Sequence, residues 1–156
     1  MATIYFFNED INFSLKNKQK IKTWIKEIIA VEGFQLVDLN FIFCSDNYLH
    51  QLNLQYLNHD DYTDIITFDK TDVAEKVSGD IFISIDRVFE NASNFGMEKT
   101  QEIRRIIIHG VYHLLGYKDK SKQEKKLMTD KENEALSLWE KIDVPRGTSS
   151  QTKPSL

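Results

Sequence analysis

A chain of 156 residues with 41% hydrophobic, 12% aromatic and 28% charged residues has the composition of one soluble globular domain with a real core, which excludes a disordered or fibrous protein. Its net charge of -4 argues against a protein that coats nucleic acid by bulk electrostatics, yet leaves room for a local basic site. The single cysteine, Cys44, rules out an intramolecular disulfide and points to a reducing compartment, the cytoplasm.

The N-terminal stretch has no basic segment and only a short apolar run, and no later stretch approaches the roughly 20 apolar residues of a spanning helix, so a soluble, untargeted chain is expected. Ile4 to Phe7 is rich in strand formers and ends at Asn8-Glu9-Asp10, which predicts a first strand. From about Asn17 to Glu32 the residues Ile21, Trp24, Ile25, Ile28 and Ile29 recur at helical spacing, with lysines on the other faces and Gly33 placed to stop the helix. Leu36 to Cys44 alternates with Asp38 and Asn40 and predicts a second strand, with Cys44 a small packing residue at its end. Ser45 then caps a helix running to about Tyr56.

After the polar loop Asn58-His59-Asp60-Asp61, two further strands are expected over Asp64 to Phe68 and Asp80 to Ile85, the latter opened by Gly79. A helix from about Asp86 to Asn94 is closed by Gly96. The next, from about Glu98 to Leu115, carries Ile103, Ile106, Ile107, Val111 and Leu114 and stops at Gly116. Ser121-Lys122-Gln123-Glu124 fits a capping box and starts a last helix through Leu127, Met128, Leu136 and Trp139. Residues 1–142 read as a single α+β domain, a mixed sheet of about four strands with helices packed on it, and the polar tail 143–156 reads as disordered.

Chemistry concentrates in His109-Gly110-Val111-Tyr112-His113-Leu114-Leu115-Gly116-Tyr117-Lys118-Asp119. Residues at i and i+4 share a helix face, about 5–6 Å apart at Cβ, so two imidazoles can reach one ion. Gly116 breaks the helix and lets the chain bring Asp119 in from another direction. Three protein ligands with one open position is the catalytic arrangement of zinc, and a zincin-like site of one divalent ion, held by His109, His113 and Asp119, is expected. An isolated His-x3-His pair is as often a pair of ordinary helix residues; the helix break and the carboxylate that follow it favour the metal. Gly110 stands where a zinc peptidase of the His-Glu-x-x-His type has its general base, which counts against that mechanism.

The same segment resembles the His-Gly-x-x-His-Leu-x-Gly-Tyr signature of the YbeY-type endoribonucleases, bacterial small-subunit rRNA maturation factors. Leu52-Asn53-Leu54-Gln55-Tyr56, Thr63-Asp64-Ile65-Ile66-Thr67-Phe68 and Gly79-Asp80-Ile81 resemble further segments of that family, and Glu102 stands where it commonly has Glu. The resemblance spans about residues 1–142 and implies an α+β fold and a metal-dependent, single-strand-preferring endoribonuclease of rRNA maturation and ribosome quality control. RNA, and with it the ribosomal small subunit and its proteins, would be the partners. Two positions depart from the family: Asp119 replaces its usual third histidine, and Leu57 replaces the Arg that usually follows the central Tyr.

Arg105, four residues before His109, is the candidate substitute for that Arg, through its planar fork on a phosphate; a salt bridge to Glu102 is the plain alternative. Glu102 is either the carboxylate that orients His109's second ring nitrogen or surface decoration. Lys118, Lys120, Lys122, Lys125 and Lys126 form a basic cluster beside the expected site, readable as an RNA-backbone contact or as a solvated helix face. His59, Asp60, Asp61 and Asp64 make a weaker rival metal cluster, with His59 a loop residue able to face the cleft; His50 has no assigned role. Against the nuclease stand a metallopeptidase-like hydrolase and a non-catalytic ribosome-assembly protein that keeps the metal for stability.

Overall fold

A computed structural model describes residues 2–142, so the expected disorder of 143–156 lies outside the described residues. Four strands and five helices follow in the order β1 (Thr3–Asn8), α1 (Lys18–Val31), β2 (Gln35–Cys44), α2 (Asp46–Leu57), β3 (Ile65–Asp69), β4 (Lys76–Ser84), α3 (Ile85–Asn94), α4 (Lys99–Leu114) and α5 (Lys122–Trp139). The sheet order is β1-β2-β4-β3. β1 and β4 both run parallel to β2, while β3 is antiparallel to β4 with Ile66 opposite Phe82. The fold is the expected α+β class with a mixed four-stranded sheet.

Strand alternation decides which residues enter the core. Leu39, Phe41 and Phe43 of β2 and Val77, Ile81 and Ile83 of β4 are buried on one face, against Trp24, Ile25 and Ile28 of α1 and Ile103, Ile107 and Val111 of α4. The opposite face carries α2, whose Leu49 packs with Cys44 and Ile66 in a smaller cluster. Cys44 is fully buried, and desolvation pushes its thiol up to about 12, so it is an inert packing residue.

β4 begins at Lys76, earlier than the expected start at Asp80, because Lys76 and Val77 pair with Gln35 and Leu36. Gly79 therefore lies inside the strand, where a Cβ would come within 2.8 Å of both the Phe68 carbonyl oxygen and Leu114 Cδ1. Helix ends follow the residues expected to make them. Ser45 caps α2 and Ser121 with Glu124 forms a reciprocal capping box at α5, while α3 is capped by Ser84, a residue the sequence reading did not single out.

α4 is the centre of the helical layer and touches α1, α3, α5, β3 and β4. Its approach to the sheet requires Gly110, where an added Cβ would lie 2.8 Å from Ile65 Cδ1 and 2.9 Å from Ile81 Cγ2. The glycine that removes a peptidase's base is thus explained by packing. Gly110→Ala is expected to lower stability by up to about 2 kcal/mol in urea denaturation, since an overpacking cost of about 1–3 kcal/mol is offset by the roughly 1 kcal/mol that alanine gains in a helix. An increase in stability would contradict the close approach.

Candidate metal centre

The last two turns of α4 carry the two histidines, and the end of that helix is what brings the third group to them. Gly116 adopts φ +101, its N–H donates to the His113 carbonyl, and the Tyr117 N–H donates to the Tyr112 carbonyl. This is the 6→1 and 5→2 pairing of a Schellman end, which reverses the chain. The reversal points the Tyr117 carbonyl at His113 Nδ1 (3.1 Å) and returns Asp119 to the helix.

Three ligand-type atoms then converge. His109 Nε2 and His113 Nε2 are 3.0 Å apart, and Asp119 Oδ2 lies 3.2 Å from the first and 3.3 Å from the second. For metal–ligand distances of about 2.0–2.2 Å, neighbouring atoms of a tetrahedral shell sit about 3.3 Å apart. The triangle therefore has the size of one tetrahedral face, and the donor set fits a single divalent ion. It is the one such group of three or more His, Cys, Asp or Glu among the described residues.

Both rings are oriented through their other nitrogen. Glu132 Oε2 accepts from His109 Nδ1 at 2.6 Å, as the Tyr117 carbonyl does from His113 Nδ1. With Nδ1 protonated, each Nε2 lone pair faces the common point. Glu132 is itself buried and anchored, since Arg105 Nη1 donates to its Oε1 at 2.8 Å while Arg105 Nη2 donates to Asn133 Oδ1 at 2.9 Å.

Two expectations are corrected here. The carboxylate on His109 Nδ1 is Glu132, not Glu102; Glu102 lies about two turns earlier on α4, and its carboxyl is raised chiefly by burial. Arg105 does not line the cleft over the centre, because its guanidinium is spent on Glu132 and Asn133. Its place on the histidine side of α4 holds the orienting carboxylate instead of a phosphate.

The centre opens into a cleft of about 370 Å³ between α2, β3 and the loop after α4. Leu57, Ile65 and Ile66 give it apolar wall, Asn53, Thr63 and Thr67 give it hydrogen-bonding groups, and Lys120 gives it a cation. His59 also lines it, but the rival cluster of the 59–64 loop is dispersed: Asp60 pairs with His50 at 2.9 Å, and Asp61 accepts from Asn53 Nδ2. Asp64 stands in the cleft wall, its carboxyl raised by burial against the lowering influence of His109. Lys118, Lys120, Lys122, Lys125 and Lys126 are all exposed on the adjoining surface, with Lys126 paired to Asp130.

The family model described as Endoribonuclease YbeY matches residues 4–140 of this chain. The chain belongs to the YbeY family. Curated proteins named Endoribonuclease YbeY match it at 49% identity over 136 residues in Cytophaga hutchinsonii, covering 87% of this chain and 95% of the relative. Those of Amoebophilus asiaticus and Christiangramia forsetii match at 49% and 46%, covering 85% and 87% of this chain and 90% and 94% of theirs. Among solved structures, the solution structure of a Thermotoga maritima protein superposes with a TM-score of 0.59 at 26% identity, over 94% of this chain and 99% of that one. The fold is thus shared with that protein along nearly the whole length, and the two histidines sit on α4 with Asp119 in the loop that follows it.

In this YbeY-family chain the sequence reading missed Glu132, although a signal for it existed. Met128, Ala135 and Trp139 form the buried stripe of α5, and Glu132 falls in line with them, a carboxylate where burial demands a partner. Burial pulls the His109 pKa down, but the Glu132 hydrogen bond and the charges of Glu132, Asp119 and Asp64 outweigh it, and the net direction is upward from 6.5. A pKa raised on folding stabilises the metal-free protein below about 6.5, and that contribution is lost as pH rises through the folded value. Metal must displace this proton, so affinity is expected to fall as pH drops toward the raised value, with proton release on binding that calorimetry in buffers of different ionisation heat reads directly.

Proposed function

We propose that this protein is a metal-dependent endoribonuclease that cuts single-stranded RNA, acting in small-subunit rRNA maturation and ribosome quality control in the cytoplasm. The observation that carries the reading is the convergence of His109 Nε2, His113 Nε2 and Asp119 Oδ2 at 3.0–3.3 Å, in a cleft open to solvent. Zinc is the ion these donors suit best, with His109, His113 and Asp119 holding it. When bound it would supply positive charge at the scissile phosphate and a nucleophile that ionises near neutral pH.

The chain's own groups do the rest. Glu132 and the Tyr117 carbonyl hold the imidazoles in register, so the ligands need no reorganisation on binding. Lys120, in the cleft, and the exposed Lys118, Lys122 and Lys125 beside it offer charge to the RNA backbone, the role that Arg105 is not placed to take. Leu57, Ile65 and Ile66 line the cleft with apolar surface suited to unstacked bases, and Asn53, Thr63 and Thr67 can read or position the strand. A metallopeptidase reading has no general base at position 110, where the sheet leaves no room for a side chain.

The test is cleavage of a labelled single-stranded RNA by the protein with zinc and after chelation. Chelation is expected to abolish cleavage and added zinc to restore it. Asp119→Asn should lose the restoration at the same zinc concentration, because a neutral amide oxygen is a poor ligand, while Asp119→His should keep it. Cleavage unaffected by chelator would overturn the proposal.

A further inference from the structure

β1 is an edge strand whose outer side the fold leaves open. It pairs with β2 alone, and among the described residues no strand lies beyond it. The Glu9 N–H donates to the Phe43 carbonyl, with Asn8 opposite Phe43 in the parallel register, so the odd-numbered residues turn their backbone groups toward β2. The N–H and C=O groups of Ile4, Phe6 and Asn8 therefore point outward along the free edge. Natural edges are blunted by charges, proline or a bulge. Thr3–Asn8 has no charged residue and no proline, and its register with β2 runs without a break.

The two sides of this edge differ in chemistry. Ile4 and Phe6 face α1 and the core, so alternation puts Tyr5 and Phe7 on the other side, 52% and 49% exposed with ring centres 6.2 Å apart. On the α1 side, Lys18, Lys22 and Lys26 recur at every fourth residue and follow β1 in reverse. Lys18 and Asn8 line one hollow, Lys22 Nζ lies 6.0 Å from the Phe6 ring centre, and Lys26 shares a second hollow with Ala2. None of the three forms an ion pair among the described residues, where lysine pairs are made by Lys70, Lys126 and Lys131. Four residues of helix advance about 6 Å and two residues of strand about 6.6–6.8 Å, so the lysine stripe has the repeat of alternate side chains on a strand laid along the edge. Of the acids that follow β1, Asp10 is turned inward to Ser45, past the end of β2.

An occupant must therefore offer a backbone ladder to the outward groups, carboxylates at every second residue to the lysines, and apolar side chains between them to Tyr5 and Phe7. A nucleic-acid strand satisfies the lysines but has no ladder of N–H and C=O groups. A second copy of this chain, paired edge to edge through a two-fold axis, would set α1 beside α1 with lysines against lysines. We propose that β1 is a docking edge for an extended segment of a protein partner in which acidic and apolar residues alternate, added as a fifth strand beside β1. No residue of β1 or α1 lines the metal cleft, and the edge is independent of the proposed nuclease activity.

The test is titration of the isotope-labelled full chain with the end-blocked peptide Glu-Val-Glu-Val-Glu-Val-Glu, followed by amide shifts. A peptide of the same composition with its four glutamates first, and a twelve-nucleotide oligoadenylate, are separate probes. The alternating peptide should shift Ile4, Phe6 and Asn8, slow the solvent exchange of their amides, and leave Ile66 and Thr67 of the cleft unmoved. Lys18→Gln with Lys22→Gln and Lys26→Gln should weaken it by about tenfold, as loss of three exposed ion pairs together does, with no loss of thermal midpoint. Absence of shifts along β1, equal binding of the reordered peptide, oligoadenylate binding at β1 without the peptide, or undiminished binding by the lysine variant would each overturn the proposal. So would protection of the Ile4, Phe6 and Asn8 amides that rises with protein concentration alone, the mark of a second copy on the edge.

Discussion

His113→Ala is expected to abolish stoichiometric binding of a divalent ion and to lower RNA cleavage by about 10³-fold or more, the cost of losing several kcal/mol of metal-supplied charge stabilisation. The expectation rests on position. His113 supplies one corner of the three-atom triangle, and Asp119 cannot close it with His109 alone, since two protein ligands leave half of a tetrahedral shell to water. The fold should persist, because the His113 side chain is only partly buried and lines a cleft open to solvent. Native mass spectrometry of the variant reads the ion directly; one tightly held zinc per chain would contradict the ligand assignment.

The second large effect belongs to Glu132. Glu132→Gln keeps the shape but removes the charge that stabilises Nδ1–H of His109, and loss of such an outer partner weakens metal binding by about 10–100-fold. Glu132→Ala should in addition cost about 3 kcal/mol of stability, since Arg105 would be left partly buried with one of its two partners gone. Glu102→Gln is the control: it lies on α4, the helix that carries both histidines, and metal affinity should not change. Competition against a chromophoric chelator measures the affinities, and urea denaturation the stability. Equal effects from the two glutamates would mean that the Glu132–His109 bond does not matter to the centre.

Much of this architecture was legible in the sequence because local signals agreed. Ser45, Gly33, Gly116 and the Ser121–Glu124 box mark helix ends by chemistry that acts within a few residues, and the structure places helix ends at each. The His109–His113 pair is likewise local, a consequence of helical spacing, and its meeting with Asp119 needed only the turn at Gly116. What failed to be read was long-range. Glu132 lies 23 residues after His109 on a different helix, and only the packing of α5 on α4 brings the two together. Arg105 was placed on the correct side of α4, but the partner waiting there was a carboxylate from α5 and not open cleft. Similarly, β4 was started late because Lys76 to Ser78 look polar in isolation; pairing with β2 overrides that local character.

We propose that His109, His113 and Asp119 hold one metal ion. This is tested most directly by a crystal structure of the zinc-loaded protein with data collected on either side of the zinc absorption edge. A single anomalous peak about 2.0–2.2 Å from Nε2 of His109, Nε2 of His113 and a carboxylate oxygen of Asp119 is the predicted result. A peak elsewhere, for instance among His59, Asp61 and Asp64, or no peak in protein that binds zinc in solution, would contradict it.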